Sequence, residues 1–269
     1  MGQPVPFGAV TVAVELTGVS KRFGSVEALA DIDLEVEASE IVTVLGPSGS
    51  GKTTLLRLVG GLDEPTSGRV TVDGASPHQA RAAKRIGFVP QSPALFPWRT
   101  VAENARLLLD VNRRQNNARG PTTAELLDHV GLTSFADAYP HELSGGMQQR
   151  VALVRAVALG APLLLMDEPF AALDEITRTD MRHLLTGLCE PLATTVVFVT
   201  HSIPESVFLS DRVVVLSARP GRVVGVEEVD LPRPRHAELE DAPEFFAIET
   251  RLRSLLHEGH RRPTDGLAP

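Results

Sequence analysis

Cysteine, tryptophan and tyrosine occur once each among the 269 residues, and aromatic residues make up only 4% of the chain. The single cysteine, Cys189, excludes an internal disulfide bond and is typical of a reducing compartment. Basic residues are also outnumbered, because 26 Lys and Arg stand against 34 Asp and Glu, for a formal net charge of −8. This balance argues against a protein that binds nucleic acid through a general electrostatic surface.

The chain also lacks a long apolar run. The longest one, residues 151–166, contains Arg155, Gly160 and Pro162 and is too short to cross the roughly 30 Å of hydrocarbon in a bilayer. The first residues do not show the charged segment followed by an apolar segment that marks a secretory leader. We therefore expect a cytoplasmic protein that acts at a membrane only through a partner.

Residues 46–53 match the phosphate-loop pattern G-x-x-x-x-G-K-[ST] between a predicted strand, 41–45, and a predicted helix, 54–59. The glycines allow backbone N–H groups to approach the α- and β-phosphates of a nucleotide. Lys52 is expected to reach the β- and γ-phosphates, and Thr53 is expected to hold Mg²⁺. The candidate nucleotide contacts in this segment are Gly46, Pro47, Ser48, Gly49, Ser50, Gly51, Lys52, Thr53 and Thr54.

Two adjacent carboxylates, Asp167 and Glu168, end the apolar run at 163–167. Carboxylates at the end of a buried strand are costly unless they act on a metal ion or a water molecule. We expect Asp167 to bind Mg²⁺ through water and Glu168 to be the general base that activates the attacking water.

A second glycine-rich helix start lies at Ser144, Gly145 and Gly146. A helix N-terminus exposes unpaired N–H groups and a partial positive charge, so this segment also suits a phosphate. One nucleotide does not obviously need both sites. If the second site faces the nucleotide of another subunit, the chain works as a dimer with ATP at the interface.

The pattern of apolar residues predicts an α/β fold with a helical block, residues 92–160, inserted between two halves of the nucleotide core. Continuous apolar runs at 163–167 and 195–200 favour parallel strands covered on both faces. We expect a loose tail over 1–10, the main domain over 11–235, and a C-terminal helix with a tail over 236–269. The other predicted strands are 11–16, 26–36, 41–45, 69–74, 85–90, 213–216 and 222–224, and the predicted helices are 54–59, 101–111, 123–130, 146–159 and 244–257.

The predicted C-terminal helix carries an apolar stripe. Such a stripe favours packing against the core over a surface that binds a membrane or a partner. Its members are Phe245, Phe246, Ile248, Leu252, Leu255 and Leu256.

With its motifs in this order from about residue 12 to residue 222, the chain resembles the ATP-binding subunits of ABC transporters. The resemblance implies a P-loop NTPase (RecA-like) core with an antiparallel β-subdomain and an inserted α-helical subdomain. It implies ATP and Mg²⁺ as cofactors and ATP hydrolysis coupled to transport. The implied partners are a second copy in an ATP-enclosing homodimer, integral-membrane permease subunits and, indirectly, an extracytoplasmic solute-binding protein. The implied location of this chain is the cytoplasmic face of the membrane.

The resemblance also assigns roles to residues that are weak signals alone. Phe23 is expected to stack on adenine, and Gln91 to sense Mg²⁺ and the attacking water. His201 is expected to contact the γ-phosphate, and Asp174 belongs to the loop that crosses the dimer interface. The implied catalytic set is Glu168, His201, Gln91 and Lys52; the implied metal set is Thr53, Gln91 and Asp167; and Ser144, Gly145 and Gly146 are implied to contact the γ-phosphate of the opposite subunit.

Two segments, 92–101 and 217–222, resemble the nitrate, sulfonate, taurine and pyrimidine-precursor importers of this family. The first lies where the family's ATPase receives the coupling helix of the permease. Phe96 and Trp98 therefore either form an apolar notch for that helix or anchor the helical block. The solute itself is not encoded here, because the permease and the binding protein select it.

Three alternatives stay open. A clamp on nucleic acid or ribosomes predicts paired ATPase domains, a long coiled coil or zinc cysteines, and basic patches, which this sequence lacks. A non-hydrolysing scaffold is disfavoured by the intact Lys52, Asp167, Glu168 and His201. A heterodimer with a similar ATPase is compatible with the same motifs.

Overall fold

The structure, a computed structural model, describes residues 12–116, 121–189 and 192–260. These residues form nine strands and eight α-helices. The strands are β1 (Val12–Phe23), β2 (Val26–Glu37), β3 (Ile41–Leu45), β4 (Ser67–Val72), β5 (Ile86–Val89), β6 (Leu163–Asp167), β7 (Thr195–Thr200), β8 (Arg212–Leu216) and β9 (Val223–Glu228). The helices are α1 (Lys52–Val59), α2 (Pro77–Ala82), α3 (Val101–Asp110), α4 (Thr123–His129), α5 (Gly145–Val157), α6 (Glu175–Cys189), α7 (Ile203–Leu209) and α8 (Pro243–His260).

A three-stranded antiparallel sheet with the order β2-β1-β4 comes from the first part of the chain. In this sheet Val14 pairs with Val36 and Leu16 pairs with Leu34, and all four side chains are buried. Residues of one face share a hydrophobic cluster with the apolar side of α1. The sheet therefore lies against the helix that follows the phosphate loop.

The first strand is longer than predicted, because it continues beyond residue 16 to Phe23. Its pairing with β2 is irregular between Leu16 and Val19, and Gly18 lies there with φ +57°. A glycine inside a strand pattern marks either a break or a bulge. The predicted end of the strand at residue 16 was therefore wrong, since β1 continues past this glycine.

The larger sheet has the order β5-β6-β7-β3-β8-β9, with parallel neighbours except for β9, which pairs antiparallel with β8. Every residue of β3, β6 and β7 is buried, as expected for parallel strands covered on both faces. Three loops leave the same carboxyl edge of this sheet: the phosphate loop after β3, Glu168 after β6 and His201 after β7. In open α/β sheets this edge is where ligands bind.

Helices α3, α4 and α5 lie between β5 and β6 in the chain and pack against one another. Thr100 and Thr122 begin α3 and α4 with reciprocal capping boxes, and the Ser144 hydroxyl caps α5. Helix α5 also contacts β5 and α6, so it joins these helices to the sheet. The boundaries of a separate helical subdomain, 92–160, stay a prediction.

Three helices, α2, α6 and α7, were not predicted. In α6 the buried Met181, Leu185 and Leu188 follow helical spacing, but polar and charged residues around them hide the stripe. Helices α2 and α7 span only six and seven residues, which is too short for a reliable periodic signal.

Helix α8 packs on the core, against α7, β8 and β9. Phe245, Ile248 and Leu252 are buried, whereas Phe246 is 52% exposed. The predicted helix is thus confirmed with its ends extended, and Phe246 was wrongly placed in the apolar stripe. Residues 1–10, predicted as a tail, lie outside the described residues. Among the residues described, no helix combines the length and apolar character needed to cross a bilayer.

Candidate nucleotide site

The phosphate loop connects β3 to α1 and depends on Gly51. This residue has φ +88°, and a Cβ on it would lie 2.7 Å from the Ala28 carbonyl oxygen. Only glycine meets both conditions without strain. Within the described part of the chain no side chain caps α1, so its first N–H groups remain available to an anion.

Lys52, the first residue of α1, is buried. Its Nζ donates hydrogen bonds to the carbonyl oxygens of Gly46 (2.8 Å) and Pro47 (3.0 Å) and lies 3.6 Å from Glu168 Oε1. Burial lowers the pKa of Lys52 below its usual value, and the carboxylates of Glu168 and Asp167 partly offset that effect. The loop thus holds a cation at the position where phosphates are expected.

Asp167 ends β6 beside the phosphate loop. The Thr53 hydroxyl donates to Asp167 Oδ1 at 2.9 Å. Burial raises the pKa of Asp167 above its usual range, while the hydrogen bond from Thr53 acts in the opposite direction. A hydroxyl and a carboxylate in contact at a phosphate site are a donor pair suited to Mg²⁺, which prefers oxygen ligands and keeps several waters.

Glu168 adopts a left-handed backbone conformation, with φ +45°. Its amide donates to the Val199 carbonyl at 2.9 Å, which ties the turn to β7. A residue other than glycine in this region is strained, and such strain is found at functional sites more often than elsewhere. Here the turn directs the carboxylate between two other predicted residues, since its second oxygen, Oε2, lies 2.9 Å from His201 Nδ1. The result is a chain of contacts from Lys52 through Glu168 to His201.

A cavity of about 420 Å³ opens over the loop. At its mouth the Phe23 ring is 49% exposed, with the Lys21 ammonium 4.9 Å from the ring centroid. The predicted residues that line the cavity are Phe23, Ser48, Gly49, Gly51, Lys52, Thr53, Thr54, Gln91 and Glu168. Asp167 contacts Thr53 and His201 contacts Glu168, so both lie next to residues that line the cavity. The remaining loop residues do not line it: the carbonyl groups of Gly46 and Pro47 accept hydrogen bonds from Lys52, and Ser50 lies within the turn.

Ser144, Gly145, Gly146 and Asp174 do not line this cavity. The Ser144 hydroxyl accepts from the Met147 amide at 3.3 Å and so caps α5. A Cβ on Gly146 would lie 2.7 Å from Thr177 Cγ2, and the Thr177 hydroxyl donates to Asp174 at 2.8 Å. The two predicted interface segments therefore meet at Thr177 and form one surface apart from the phosphate loop.

A partly buried ion pair joins this surface to the loop that carries His201. Arg178 donates to the Leu173 carbonyl at 2.9 Å, and its Nε lies 3.4 Å from Glu205 Oε1. Glu205 also accepts a hydrogen bond from the Thr200 hydroxyl, next to His201. Burial raises the pKa of Glu205 despite these partners. No periodic pattern or motif in the sequence pointed to this network.

Three further residues, Val26, Ala28 and Arg219, line the cavity and were not predicted as site residues. Arg219 belongs to the segment 217–222, which the sequence singled out only as a mark of a subfamily. The signal that was missed is the basic side chain of Arg219, because the fold returns its segment to the phosphate loop.

Comparison with known proteins agrees with this geometry. The family model described as ABC transporter matches residues 29–171. The nitrate import ATP-binding protein NrtD of Synechocystis sp. is 41% identical over 95% of this chain and 99% of its own length. The aliphatic sulfonates import ATP-binding protein SsuB of Bacillus cereus is 41% identical over 84% of this chain and 88% of its own length.

A solved dimeric structure of the ATP-binding cassette MJ0796, in a post-hydrolysis state bound to ADP and Pi, has a TM-score of 0.70. It is 35% identical and covers 81% of this chain and 100% of that one. The chain therefore belongs to the ATP-binding proteins of the ABC transporter family. It is an ATPase of this class, and the predicted ABC ATPase fold is confirmed.

Proposed function

We propose that this chain is the ATP-hydrolysing subunit of an ABC importer, in which two copies enclose two ATP molecules and drive a separate permease. The observation that carries the proposal is the separation of two phosphate-suited helix starts, one at the phosphate loop and one at Ser144 to Gly146. A single nucleotide in the cavity leaves the second helix start unused. A second copy brings it to the nucleotide of the first.

The oxygen donors beside the loop fit Mg²⁺. Thr53 and Asp167 would hold the ion, with Gln91 at the cavity wall and the nucleotide supplying further oxygens. Bound there, the ion would neutralise charge that develops on the phosphates. This donor set contains one carboxylate, as expected for an ion that binds largely through water and substrate.

Glu168 is the proposed general base. Its carboxylate faces both Lys52 and His201, so it lies where a water next to the terminal phosphate would give up a proton. His201 contacts this carboxylate and would face the same phosphate. Phe23 offers an exposed ring face to adenine.

The nucleotide loops and the interface surface are mechanically linked. The Arg178–Glu205 pair fixes the segment that carries Asp174 to the segment that carries His201. Closure against a second copy would therefore shift the residues next to the γ-phosphate. This gives association and hydrolysis a physical connection.

A mostly apolar groove of about 530 Å³ between β5 and α3 is the proposed seat of a short permease helix. Beside α3, the buried Asn104 bonds the backbone of Phe96 and Arg99, so the loop before α3 is firmly held. On that loop Phe96 and the 70% exposed Trp98 pack ring to ring, with centroids 5.1 Å apart. Phe96 and Trp98 do not line the groove itself, but their loop is held by Asn104 and the Trp98 ring is exposed, so this ring is available to a partner. Through such a permease the chain would sit on the cytoplasmic face of the membrane.

The solute would be a small molecule of the nitrate, sulfonate, taurine or pyrimidine-precursor type. The names of the two curated relatives favour nitrate and aliphatic sulfonates. No residue in the nucleotide cavity or the groove selects among these. The choice would belong to the permease and to an extracytoplasmic binding protein.

The test is to recover the complex from its own cells. A tagged Glu168→Gln variant, solubilised gently from membranes with MgATP, is expected to copurify a multi-span permease. Trp98→Ala in the same background tests the docking surface and should recover less of the permease, because the exposed ring is lost while the Asn104 hydrogen bonds to the loop stay. Recovery of only ribosomal or repair proteins, with the chain absent from membranes, would refute the proposal.

A further inference from the structure

Arg219 stands at the wall of the nucleotide cavity without an assigned role. Its guanidinium nitrogen Nη2 would be 3.6 Å from a Cβ built on Gly49 in the phosphate loop. The side chain is exposed, and among the described residues it has no hydrogen-bond or ion-pair partner. An arginine without a partner beside a phosphate loop is free to bind an anion.

The segment that carries Arg219 is fixed to the phosphate loop. The Gly221 amide donates to the Ala28 carbonyl at 2.9 Å, and the Ala30 amide donates to the Gly221 carbonyl at 3.0 Å. A Cβ on Gly221 would lie 2.0 Å from the Ser50 carbonyl oxygen, a distance no side chain can occupy. The backbone at Gly221, two residues after Arg219, therefore lies directly against the phosphate loop at Ser50.

Helix α8 fixes the other side of the segment. The Ala218 amide donates to the Gly259 carbonyl at 3.1 Å, near the end of α8. A Cβ on Gly259 would lie 3.1 Å from Ser217 Cα, so helix and segment are in close contact. Inside the segment, the Ser217 hydroxyl donates to the Pro220 carbonyl at 2.8 Å. The segment is thus held between the phosphate loop and the C-terminal helix.

The charges in the cavity differ in how they are balanced. Lys52 has the Glu168 carboxylate at 3.6 Å, whereas Arg219 has no carboxylate partner in the part of the chain that the structure describes. A guanidinium can bind two phosphate oxygens at once and stays charged at every physiological pH. We propose that Arg219 binds the phosphates of the nucleotide from the rim of this cavity, and that α8 holds it in place. The proposal rests on the nucleotide occupying the cavity, as in the proposed function.

The test measures nucleotide affinity by calorimetry on the full chain with MgATP and with MgGTP. Because the contact is solvent-exposed and charge-assisted, Arg219→Ala should weaken both nucleotides by about 5- to 10-fold. Arg219→Lys should recover part of the loss, and high salt should shrink it. Arg222→Ala is the matched control, since it removes the same charge from the same segment outside the cavity, and it should change affinity less than about twofold.

Three results would overturn the assignment. The first is an Arg219→Ala variant that binds ATP as tightly as the wild type. The second is a loss of ATP affinity in Arg219→Ala without a loss of GTP affinity, and the third is an equal loss of ATP affinity in Arg222→Ala. The second would mean a contact to the base, and the third a general field effect. If the wild type itself binds no ATP, the proposed function fails, whereas wild-type binding with an unaffected Arg219→Ala variant refutes only this inference.

The part played by α8 has its own readout. Gly259→Val should push the end of α8 away from Ser217 and weaken ATP binding in the wild-type background. The same change should have no effect on affinity in the Arg219→Ala background, because the group it misplaces is gone. An equal loss in both backgrounds would contradict a role for α8 in placing Arg219.

Discussion

Replacing Glu168 by Gln removes one negative charge and almost no volume from the centre of the site. In the wild type, Glu168 Oε1 lies 3.6 Å from Lys52 Nζ, and Glu168 Oε2 lies 2.9 Å from His201 Nδ1. Gln keeps an acceptor for His201 but cannot take a proton from water. Loss of a general base should lower kcat by about 10²- to 10⁴-fold, equivalent to about 3 to 5 kcal/mol of transition-state stabilisation.

ATP affinity should stay the same or rise in this variant. The carboxylate repels the nucleotide phosphates and competes with them for Lys52, and Gln does neither. Phosphate release under saturating MgATP gives turnover, and calorimetric titration gives affinity. Glu64→Gln, an exposed carboxylate outside the cavity, is the control and should match the wild type in both. A fall in kcat of less than about tenfold, or a parallel loss of affinity, would refute the role of Glu168 as base.

Three further predictions concern the fold around the site. Leu252→Ala removes a fully buried side chain of α8 and should lower the free energy of unfolding, measured by urea titration, by about 2 to 5 kcal/mol. Phe246→Ala removes an exposed side chain and should lower it by less than about 0.5 kcal/mol, so equal effects would contradict the packing of α8. Burial raises the pKa of Glu205, so its contribution to stability is lost as pH rises from 4.5 through the higher native pKa. Glu205→Gln should flatten this decline of the free energy of unfolding with pH, measured by urea titration, and an unchanged decline would contradict the raised pKa. Gly51→Ala should abolish ATP binding and lower the melting temperature, because the new Cβ meets the Ala28 carbonyl at 2.7 Å; normal calorimetric binding would show that the loop tolerates a side chain.

The sequence predicted the parts of the fold that local pattern controls. Continuous apolar runs gave the central parallel strands, and glycines with Lys52 gave the phosphate loop. The resemblance to ABC transporter ATP-binding subunits, the fold class and the ATPase activity are confirmed by the family match and the solved relatives. The domain boundaries and the role of each site residue stay predictions.

Other features depend on contacts between distant segments, which no local pattern encodes. Lys52, Glu168 and His201 come together because β6, β7 and β3 are consecutive neighbours in the sheet, so their carboxyl ends lie side by side. Arg219 reaches the cavity because β8 lies beside β3 and returns the following segment to the phosphate loop. The predicted end of the first strand at residue 16 was wrong, because pairing with two neighbouring strands continues past the irregularity at Gly18. Strand order therefore determines the site as much as the motifs do.

The central claim is that two copies of this chain share ATP through the helix start at Ser144 to Gly146. The direct measurement is the mass of the Glu168→Gln variant by light scattering, with and without MgATP. We predict one chain without nucleotide and two chains with it. Gly145→Asp in the same background should stay a monomer, because a Cβ at this position enters open space in the single chain, whereas the carboxylate would place a negative charge against the partner's phosphate. A Glu168→Gln variant that stays a monomer with MgATP, or a Gly145→Asp variant that dimerises equally well, would contradict the account.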